Sequence, residues 1–242
     1  MIKSKMKTNM EPIIDAHELV KVYDGNQIPV RAVDGVHLHI DKGEFIALVG
    51  PSGSGKTTVL NMIGGLDRPT SGQVKIAGEN ITAMSGSHLT RFRLGNIGFV
   101  FQSFNLIPVL TAAENIEFVM LLQGQSKDKR NKRVQELLSE VGLSDKADVR
   151  PAQLSGGQQQ RVAVARALAS KPAFVLADEP TANLDSAAAA QLLDIMEKLN
   201  REEQITFIFS THDERVIRRA RRIITLQDGK IISDMRRPEV GK

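Results

Sequence analysis

Hydrophobic and polar residues follow two different periods along this chain. From residue 13 to residue 40 they alternate, which predicts antiparallel strands, and turn residues interrupt the alternation at Asp24-Gly25-Asn26 and Asp34-Gly35. Another short strand is predicted at 73–78, after a turn at 67–72. We therefore expect the first part of the chain to form an antiparallel β subdomain.

Continuous apolar runs indicate strands that are buried on both faces, as in parallel sheets. They occur at 45–49, 96–102, 173–178 and 205–210. Apolar residues at helical spacing predict helices at 58–63, 112–122, 129–141, 159–169 and 186–201. The last predicted element is a hairpin with Asp228-Gly229 as its turn. Together these elements predict an α/β fold with an inserted helical region.

The predicted elements divide the chain into a leader and one domain. Residues 1–11 are polar, rich in lysine and without periodicity, which predicts a disordered leader. We expect residues 12–242 to form a single domain. Within it, residues 12–90 and 160–242 are expected to form the α/β core with the β subdomain, and residues 91–159 the α-helical subdomain.

The composition is that of an ordinary globular protein, because 41% of the 242 residues are hydrophobic and 25% are charged. No apolar run reaches the roughly 20 residues that cross a membrane, and no apolar stretch follows the N-terminal lysines. We therefore expect neither a transmembrane helix nor a signal peptide. The chain has no cysteine, which excludes disulfides and thiolate metal sites.

The charge balance does not indicate nucleic acid as a partner, because a net charge of +4 is too small to do so by itself. The densest basic run is 215–222, which holds five arginines. This run fits either a solvated helix face or a surface close to anionic lipid headgroups, and we favour the solvated face.

A glycine-rich loop stands between a predicted strand and a predicted helix. It satisfies the motif G-x-x-x-x-G-K-[ST] through Gly50, Gly55, Lys56 and Thr57. The backbone N–H groups of such a loop and the following helix N-terminus bind a polyphosphate. Lys56 supplies a positive charge for the β- and γ-phosphates, and Thr57 supplies a hydroxyl for Mg²⁺. The predicted nucleotide-binding residues are Gly50, Pro51, Ser52, Gly53, Ser54, Gly55, Lys56, Thr57 and Thr58.

A second anion-binding nest is predicted where the helix at 159–169 begins. The segment Ser155-Gly156-Gly157-Gln158 offers a hydroxyl and backbone N–H groups at the positive end of that helix. A plain helix cap by Ser155 is the alternative. Because the next segment carries further groups suited to phosphate chemistry, we favour the nest.

Two carboxylates and a histidine follow buried strands, at the edge where ligands bind in parallel α/β sheets. Asp178 and Glu179 end one strand, and His212 follows another. We expect Asp178 to hold Mg²⁺ through water and Glu179 to polarise a water for attack on a γ-phosphate. His212 is placed to contact the γ-phosphate.

Tyr23 is the only tyrosine of a chain without tryptophan, and it lies shortly before the strands that lead to the phosphate loop. Its ring either stacks on a nucleobase or packs in the core, and its position favours neither. Stacking on a base would contribute on the order of 1 kcal/mol or more.

In this order, the motifs resemble the ATP-binding subunit of ABC transporters over nearly the whole chain. The matching segments are the aromatic position Tyr23, the Walker A loop 50–58, the Q-loop residue Gln102, the signature Leu154–Gln158, Walker B with its glutamate at 174–179, the D-loop Asn183-Leu184-Asp185 and the switch residue His212. One departure is that Ala182-Asn183 replaces the commoner Ser-Ala before Leu184. That difference leaves Asp185 in place.

The resemblance implies a P-loop NTPase fold, ATP and Mg²⁺ as cofactors, and catalytic roles for Glu179, His212 and Gln102. It also implies that Gln102 contacts Mg²⁺ and that Asp185 belongs to the nucleotide site. The family forms a head-to-tail dimer around ATP. In this chain, Ser155 of one protomer would then close on the nucleotide that Lys56 of its partner holds, since one signature nest is half of a site.

Residues 99–108 and 178–185 look most like the branch that serves macrolide export and lipoprotein release. The resemblance implies a peripheral subunit on the cytoplasmic face of the inner membrane that powers a separate permease for a lipoprotein, lipid, peptide or drug. An ATPase that regulates cell-wall or division machinery without moving solute is the alternative. A DNA-repair ATPase is disfavoured because no long coiled coil lies between Gln102 and Leu154.

We expect the permease to dock near Gln102–Leu110. Phe104, Leu106 and Ile107 follow a predicted strand and precede Pro108, so they belong to a predicted loop. We hypothesise that they line a groove for a short helix of the membrane partner. Packing of these residues in the core of the helical subdomain is the alternative.

Overall fold

The computed structural model describes residues 12–24 and 29–237. Its strands are β1 Ile14–Tyr23, β2 Val30–Ile40, β3 Phe45–Val49, β4 Ser71–Ile76, β5 Glu79–Asn80, β6 Ile97–Val100, β7 Phe174–Asp178, β8 Thr206–Ser210, β9 Arg222–Gln227 and β10 Lys230–Arg236. Its α-helices are α1 Lys56–Ile63, α2 Gly86–Asn96, α3 Ala112–Leu122, α4 Lys127–Glu140, α5 Gly156–Ala169, α6 Ser186–Glu203 and α7 Glu214–Arg219. Short 3-10 helices lie at Ile81–Ala83, Ser144–Lys146 and Pro151–Gln153.

The strands form two sheets. An antiparallel sheet has the order β2-β1-β4-β5, and a six-stranded sheet has the order β10-β9-β3-β8-β7-β6. In the second sheet β9, β3, β8, β7 and β6 run parallel, and β10 is antiparallel to β9. All five residues of β8 are buried, as expected for a central strand that is covered on both faces.

The six-stranded sheet has a hydrophobic core on each face. One core joins this sheet to β1, β2, β4 and α1, and includes Ile14, Ile46, Val59 and Ile208. The other joins the sheet to α3, α4, α5 and α6, and includes Ile116, Leu137, Val162 and Leu192. Helix α5 contributes to the second core along most of its length, with Val162, Val164, Ala165 and Leu168 buried. The sheet is therefore fixed from both sides, which gives its strand ends a rigid support.

The structure confirms the α/β fold, the antiparallel β sheet and the predicted helices, with ends that move by a few residues. Helix α5 begins at Gly156, three residues before the predicted start at 159. Strand β4 begins at Ser71, inside the predicted turn. Among the described residues, no helix is both long and apolar enough to cross a membrane.

The predicted turn at Asp34-Gly35 is wrong, because both residues lie inside the continuous strand β2. The pairing with β1 shifts there, from Leu19 opposite Val36 to Lys21 opposite Val33. Gly35 has a φ of +68°. A β-bulge and a turn can each contain a residue with a positive φ, which glycine adopts readily. An Asp-Gly pair therefore marks a bulge here.

The predicted strand at 96–102 is too long. Asn96 ends helix α2, and β6 covers only Ile97–Val100, so Gln102 lies in the turn that follows. Helix α2 itself was not predicted, because only Leu89 and Phe92 of its eleven residues are buried and no apolar stripe forms.

The predicted leader, residues 1–11, lies outside the described residues, as do Gly25 and Asn26 of the first predicted turn. The division into subdomains at residues 91 and 159 stays a prediction. Within that range β6 pairs with β7 in the six-stranded sheet, whereas α3 and α4 pack beside α5.

Candidate active site

The predicted chemical groups meet where the parallel strands end. Ser210, the last residue of β8, lies opposite Leu48 of β3 and opposite Asp178 of β7. The phosphate loop follows β3, Glu179 follows β7, and His212 follows β8. These groups therefore share one edge of the sheet, which is the edge where α/β folds bind ligands.

The phosphate loop has a conformation that only glycine permits at two positions. Gly50 has a φ of +152°, and a Cβ there would lie 2.1 Å from the carbonyl oxygen of Leu226. Gly55 has a φ of +100°, and a Cβ there would lie 2.4 Å from the carbonyl oxygen of Ala32. The loop is therefore wedged between β2 and β9, with no room for side chains at either glycine.

Lys56 opens helix α1 and folds back over the loop. Its Nζ donates hydrogen bonds to the carbonyl oxygens of Gly50 at 2.8 Å and Pro51 at 2.9 Å. The ammonium is thus held at the N-terminus of α1. The positive end of the helix dipole and the ammonium charge both favour an anion at this place. The buried hydroxyl of Ser54, in the same loop, has no hydrogen-bond partner among the described residues.

Thr57 and Asp178 bring a hydroxyl and a carboxylate together. The Thr57 hydroxyl donates to the Asp178 carboxylate, with both oxygens at 3.2 Å. Oxygens in neighbouring positions around octahedral Mg²⁺ stand about 3 Å apart, and Mg²⁺ prefers carboxylate, hydroxyl and water oxygens. The donor set and its spacing therefore fit Mg²⁺.

Glu179 has a partner for each carboxylate oxygen. Its Oε1 lies 2.7 Å from Nδ1 of His212, and its Oε2 accepts a hydrogen bond from the Thr211 hydroxyl at 3.1 Å. The backbone N–H of Glu179 donates to the carbonyl oxygen of Ser210 at 2.9 Å. The segment after β8 therefore fixes the carboxylate that follows β7.

A cleft of about 600 Å³ brings most of the predicted residues together. Its lining consists of Ala32, Gly50–Thr58, Gln102, Glu179, Ala182, Ser210 and His212. Ala32, Ala182 and Ser210 were not predicted as site residues, since nothing in their local sequence marks them as cleft residues. The whole phosphate loop thus faces Gln102, Glu179 and His212 across one opening, which is large enough for a small-molecule ligand.

Four predicted parts of the site do not line this cleft, namely Tyr23, Asp178, the segment 155–158 and Asp185. Asp178 lines a smaller pocket of about 190 Å³, which shares Thr57 with the cleft. Ser155 and Gln158 form a capping box at the start of α5, in which the Ser155 hydroxyl accepts from the N–H of Gln158 at 3.3 Å. Asp185 caps α6 by accepting from the N–H of Ala188 at 2.8 Å. The helix cap that was the alternative for Ser155 is therefore present. Nucleotide contact by Ser155, Gly156, Gly157, Gln158 and Asp185 stays a prediction.

Tyr23 lies at the end of β1 with 42% of its surface exposed, so packing in the core is wrong. Its hydroxyl donates to Asp67 at 2.7 Å, and the Thr58 hydroxyl lies close enough to affect its pKa. Burial and the bond to Asp67 raise the pKa of Tyr23 above its usual value, although Thr58 opposes them. Base stacking by Tyr23 stays a prediction.

The loop after Gln102 has an anchor that was not predicted. Arg166 of α5 donates to the carbonyl oxygens of Phe104 and Asn105, two consecutive residues with φ of +58° and +50°. Burial lowers the pKa of Arg166 below its usual value. Asn183 donates to the carbonyl oxygen of Gln102 at 2.9 Å. Nothing in the sequence around Arg166 indicates this role.

The predicted groove residues are only partly exposed. A Cβ at Gly156 would lie 3.7 Å from Cζ of Phe104, so this ring sits near the start of α5. Leu106 packs in part against the core beneath α3 and α5, as the alternative had it. Val109, by contrast, is 72% exposed. A groove lined by Phe104, Leu106 and Ile107 stays a prediction.

The basic run 215–222 consists largely of paired arginines. Arg215 bonds to Asp213, Arg219 to Asp194, and Arg222 to Asp234, with distances of 2.5 to 2.7 Å. Arg222 is buried, so this residue does not belong to a solvated face. Most of the run therefore carries little uncompensated charge.

The family model described as ABC transporter matches residues 33–182. The chain belongs to the ABC transporter family. This ABC cassette is 44% identical to the macrolide export ATP-binding/permease protein MacB of Hyphomonas neptunium, over 92% of its own length and 34% of the relative. It is 44% identical to the lipoprotein-releasing system ATP-binding protein LolD 1 of Caulobacter vibrioides, over 95% of its own length and 98% of the relative.

The cassette thus spans about a third of the MacB relative and nearly all of the LolD relative. Its fold matches the dimeric, post-hydrolysis structure of the ATP-binding cassette MJ0796 bound to ADP and Pi, with a TM-score of 0.85 at 43% identity, over 92% of this chain and 98% of that one. MJ0796 is a protein of Methanocaldococcus jannaschii. The cassette is therefore an ATP-binding ATPase of the branch that includes MacB and LolD.

Proposed function

We propose that this cassette binds MgATP in the cleft around the phosphate loop and uses its hydrolysis to power a membrane permease. The observation that carries the proposal is that two consecutive residues, the last residue of β7 and the one after it, each contact a polar side chain from another segment. Asp178 contacts Thr57, and Glu179 contacts His212. A metal-binding pair and a water-orienting pair therefore open onto one phosphate-binding loop.

The side chains divide the chemistry of phosphoryl transfer among them. Thr57, Asp178 and Gln102 would hold Mg²⁺, which compensates the phosphate charge when it is bound. Lys56 exchanges its two carbonyl partners for the β- and γ-phosphates. Glu179 orients the attacking water and accepts its proton, and His212 holds that carboxylate in position and contacts the γ-phosphate.

Tyr23 supplies the contact to the adenine base in this proposal. Its ring is exposed beside Thr58, the last residue of the phosphate loop. Aromatic stacking is tolerant of base identity, so this contact contributes affinity more than selectivity.

A second copy of the chain completes each site. The segment Ser155–Gln158 presents a helix N-terminus away from the cleft of its own chain. In a head-to-tail dimer this segment faces the phosphates that the partner binds. Because the two-fold arrangement is reciprocal, each chain completes the nucleotide site of the other. The dimeric structure of MJ0796, at 43% identity, supports this arrangement.

The permease partner moves or extracts a lipoprotein, lipid, peptide or drug across or from the membrane. The support is that the relatives are named for macrolide export and for lipoprotein release. Such a partner places the cassette on the cytoplasmic face of the inner membrane, as a peripheral subunit.

The surface around Val109 is the proposed docking site of the permease, within Gln102–Leu110. Asn115 of α3 anchors this segment, because its side chain bonds to the backbone of Ile107 and Leu110. Val109 therefore projects from a fixed loop with 72% of its surface exposed. A short amphipathic helix of the permease would cover such a side chain.

Reconstitution with the permease tests this function. The cassette is co-purified with membrane proteins from neighbouring reading frames, placed in proteoliposomes, and assayed for ATPase stimulation and for movement of candidate lipids, lipoproteins and drugs. Val109→Asp should keep ATP binding and basal hydrolysis and lose the stimulation. Ile232→Asp is the matched control, because Ile232 is another exposed aliphatic residue, on β10 with 59% of its surface exposed. Stimulation without movement of any cargo would favour the regulatory alternative.

A further inference from the structure

Three residues form a closed group beside Thr58, which lines the nucleotide cleft. The Tyr23 hydroxyl donates to Oδ2 of Asp67 at 2.7 Å, and Nζ of Lys21 donates to Oδ1 of the same carboxylate at 2.6 Å. Nζ of Lys21 also lies 4.9 Å from the centroid of the Tyr23 ring. We call Lys21, Tyr23 and Asp67 the Tyr23 clamp.

The Tyr23 clamp joins two elements that are distant in sequence. Lys21 and Tyr23 are two residues apart on β1 and so share one face of the strand. Asp67 lies in the segment after α1, and Lys21 also donates to the neighbouring carbonyl oxygen of Arg68 at 2.8 Å. The clamp therefore ties the strand that carries the aromatic ring to the helix that begins with Lys56.

The charge states of the clamp favour its hydrogen bonds. Burial raises the pKa of Asp67, but the hydrogen bonds from Lys21 and Tyr23 outweigh it and hold the pKa below its usual value. Asp67 is therefore a charged acceptor at neutral pH. Bonds to a charged acceptor are stronger than neutral ones, so the hydroxyl end of Tyr23 is firmly held.

The clamp leaves part of the ring available. The Lys21 ammonium stands over one ring face in a cation–π contact, yet 42% of Tyr23 is exposed. The neighbouring hydroxyl of Thr58 belongs to the phosphate loop, and Thr58 lines the cleft. A base that stacks on the opposite ring face would reach the phosphate loop through its sugar.

We propose that Lys21 and Asp67 are positioning residues for the adenine base, because they fix the partly exposed Tyr23 ring beside Thr58, a residue of the cleft lining. The inference rests on the proposed function, in which Tyr23 stacks on adenine. A ring that is already held loses little rotational freedom when the base binds, and that saving appears as affinity.

Binding of two ligands separates the base contact from the phosphate contact. The full chain is titrated with MgATP and with magnesium tripolyphosphate, which has phosphates and no base. Tyr23→Ala should weaken MgATP binding about tenfold, the effect of one lost stacking contact. Asp67→Ala and Lys21→Met should weaken it about threefold to fivefold through the freed ring. All three should bind tripolyphosphate like the parent.

A double-variant cycle distinguishes positioning from general stabilisation. Adding Asp67→Ala to Tyr23→Ala should weaken MgATP binding no further, since the ring on which Asp67 acts is absent. An equal loss in both backgrounds, or an equal loss for tripolyphosphate, would overturn the proposal. Asp15→Ala, which removes an aspartate bonded to His17 elsewhere on β1, is the control.

Two further measurements distinguish failure of the adenine contact from failure of the Tyr23 clamp. If Tyr23→Ala binds both ligands like the parent, the adenine contact itself is wrong, whereas the phosphate site remains. If Asp67→Ala unfolds, Tyr23→Phe replaces it, because phenylalanine keeps the ring and loses only the bond to Asp67. Tyr23→Phe should then reproduce the threefold to fivefold loss, and parental affinity would overturn the clamp.

The single tyrosine gives a direct spectroscopic readout. Because the chain has one tyrosine and no tryptophan, ultraviolet titration of the phenol reports Tyr23 alone. The pKa of Tyr23, raised by burial and by Asp67, should fall in Asp67→Ala and stay unchanged in Asp15→Ala. An unchanged pKa in Asp67→Ala would show that the clamp does not hold the ring.

Discussion

Nδ1 of His212 lies 2.7 Å from Oε1 of Glu179. The side chains that follow the neighbouring strands β8 and β7 are therefore in direct contact. Glu179 takes a φ of +45°, which is uncommon for a residue with a Cβ. Its backbone N–H is fixed by Ser210 at 2.9 Å. Strained backbone of this kind is found where a functional side chain must be aimed, and here it turns the carboxylate into the cleft.

Glu179→Gln should bind MgATP like the parent and hydrolyse it at least about 100-fold more slowly, since the amide keeps the shape and cannot accept a proton. The ATP-bound dimer should then persist. Steady-state phosphate release and size-exclusion chromatography with MgATP measure both effects. Glu214→Gln, an exposed glutamate on α7, is the control. Ordinary turnover by Glu179→Gln would remove Glu179 from the role of base.

Lys56→Ala and Ser155→Ala should fail in different ways. Lys56→Ala should lose nucleotide affinity, because in the proposed mechanism Lys56 binds the phosphates that its own chain holds. Ser155→Ala should keep binding in the monomer and lose about 100-fold in hydrolysis, as for removal of one preorganised donor. Calorimetric titration and an ATPase assay measure the two properties.

Mixing these two inactive variants tests the shared site. A heterodimer has one site that lacks both groups and one intact site, so hydrolysis should recover in part. Each variant alone provides the baseline. If Ser155→Ala by itself abolishes nucleotide binding in the monomer, the assignment of Ser155 to the partner's site is wrong.

The sequence predicted the parts of the fold that depend on local pattern. The strand and loop around Gly50 and the capped helix at Ser155 follow from periodicity and glycine placement, and the structure has both. Asp34-Gly35 shows the limit of such patterns, because a turn and a bulge need the same backbone freedom. Only the pairing with β1 decides between them.

The unpredicted parts of the site depend on contacts between distant residues. Arg166 lies 62 positions from Phe104, and Thr181 lies 32 positions from Asp213, so no local pattern links either pair. Phe104 shows the same limit in another way. Its position in a predicted loop suggested a groove for the membrane partner, with core packing as the alternative, and the fold places its ring near Gly156. Packing against α5 is visible only in three dimensions.

Arg166→Met should lower the turnover rate about tenfold while MgATP affinity stays unchanged, because Phe104 and Asn105 lose their donors and the loop of Gln102 becomes loose. Single-turnover hydrolysis and nucleotide titration separate the two effects. Arg161→Met is the matched control, since Arg161 of the same helix donates to the carbonyl oxygen of Val141, in the segment after α4. Equal losses in both variants would contradict a specific role in holding the loop.

Asp213 connects the segment after His212 with the segment after Glu179. Its carboxylate bonds to Arg215 at 2.7 Å and accepts from the buried hydroxyl of Thr181. Burial raises the pKa of Asp213, but these hydrogen bonds outweigh it and lower the pKa from 3.8 to about 2. A lowered pKa means that the folded state favours the charged carboxylate. Its contribution to stability is therefore complete above pH 3.8 and is lost as the pH falls towards about 2.

Asp213→Asn should lower the free energy of unfolding by about 2 kcal/mol at neutral pH, since each pKa unit corresponds to about 1.4 kcal/mol. Because the parent loses the same contribution in acid, the difference between the two proteins should shrink steadily below pH 3.8, the unfolded value. Urea unfolding at pH 7, 5 and 3 measures this convergence. Glu214→Gln removes a neighbouring carboxylate that is largely exposed and should leave stability unchanged at every pH. A difference between Asp213→Asn and the parent that stays constant across the pH range would mean that lost packing, and not the charge of Asp213, destabilises the variant.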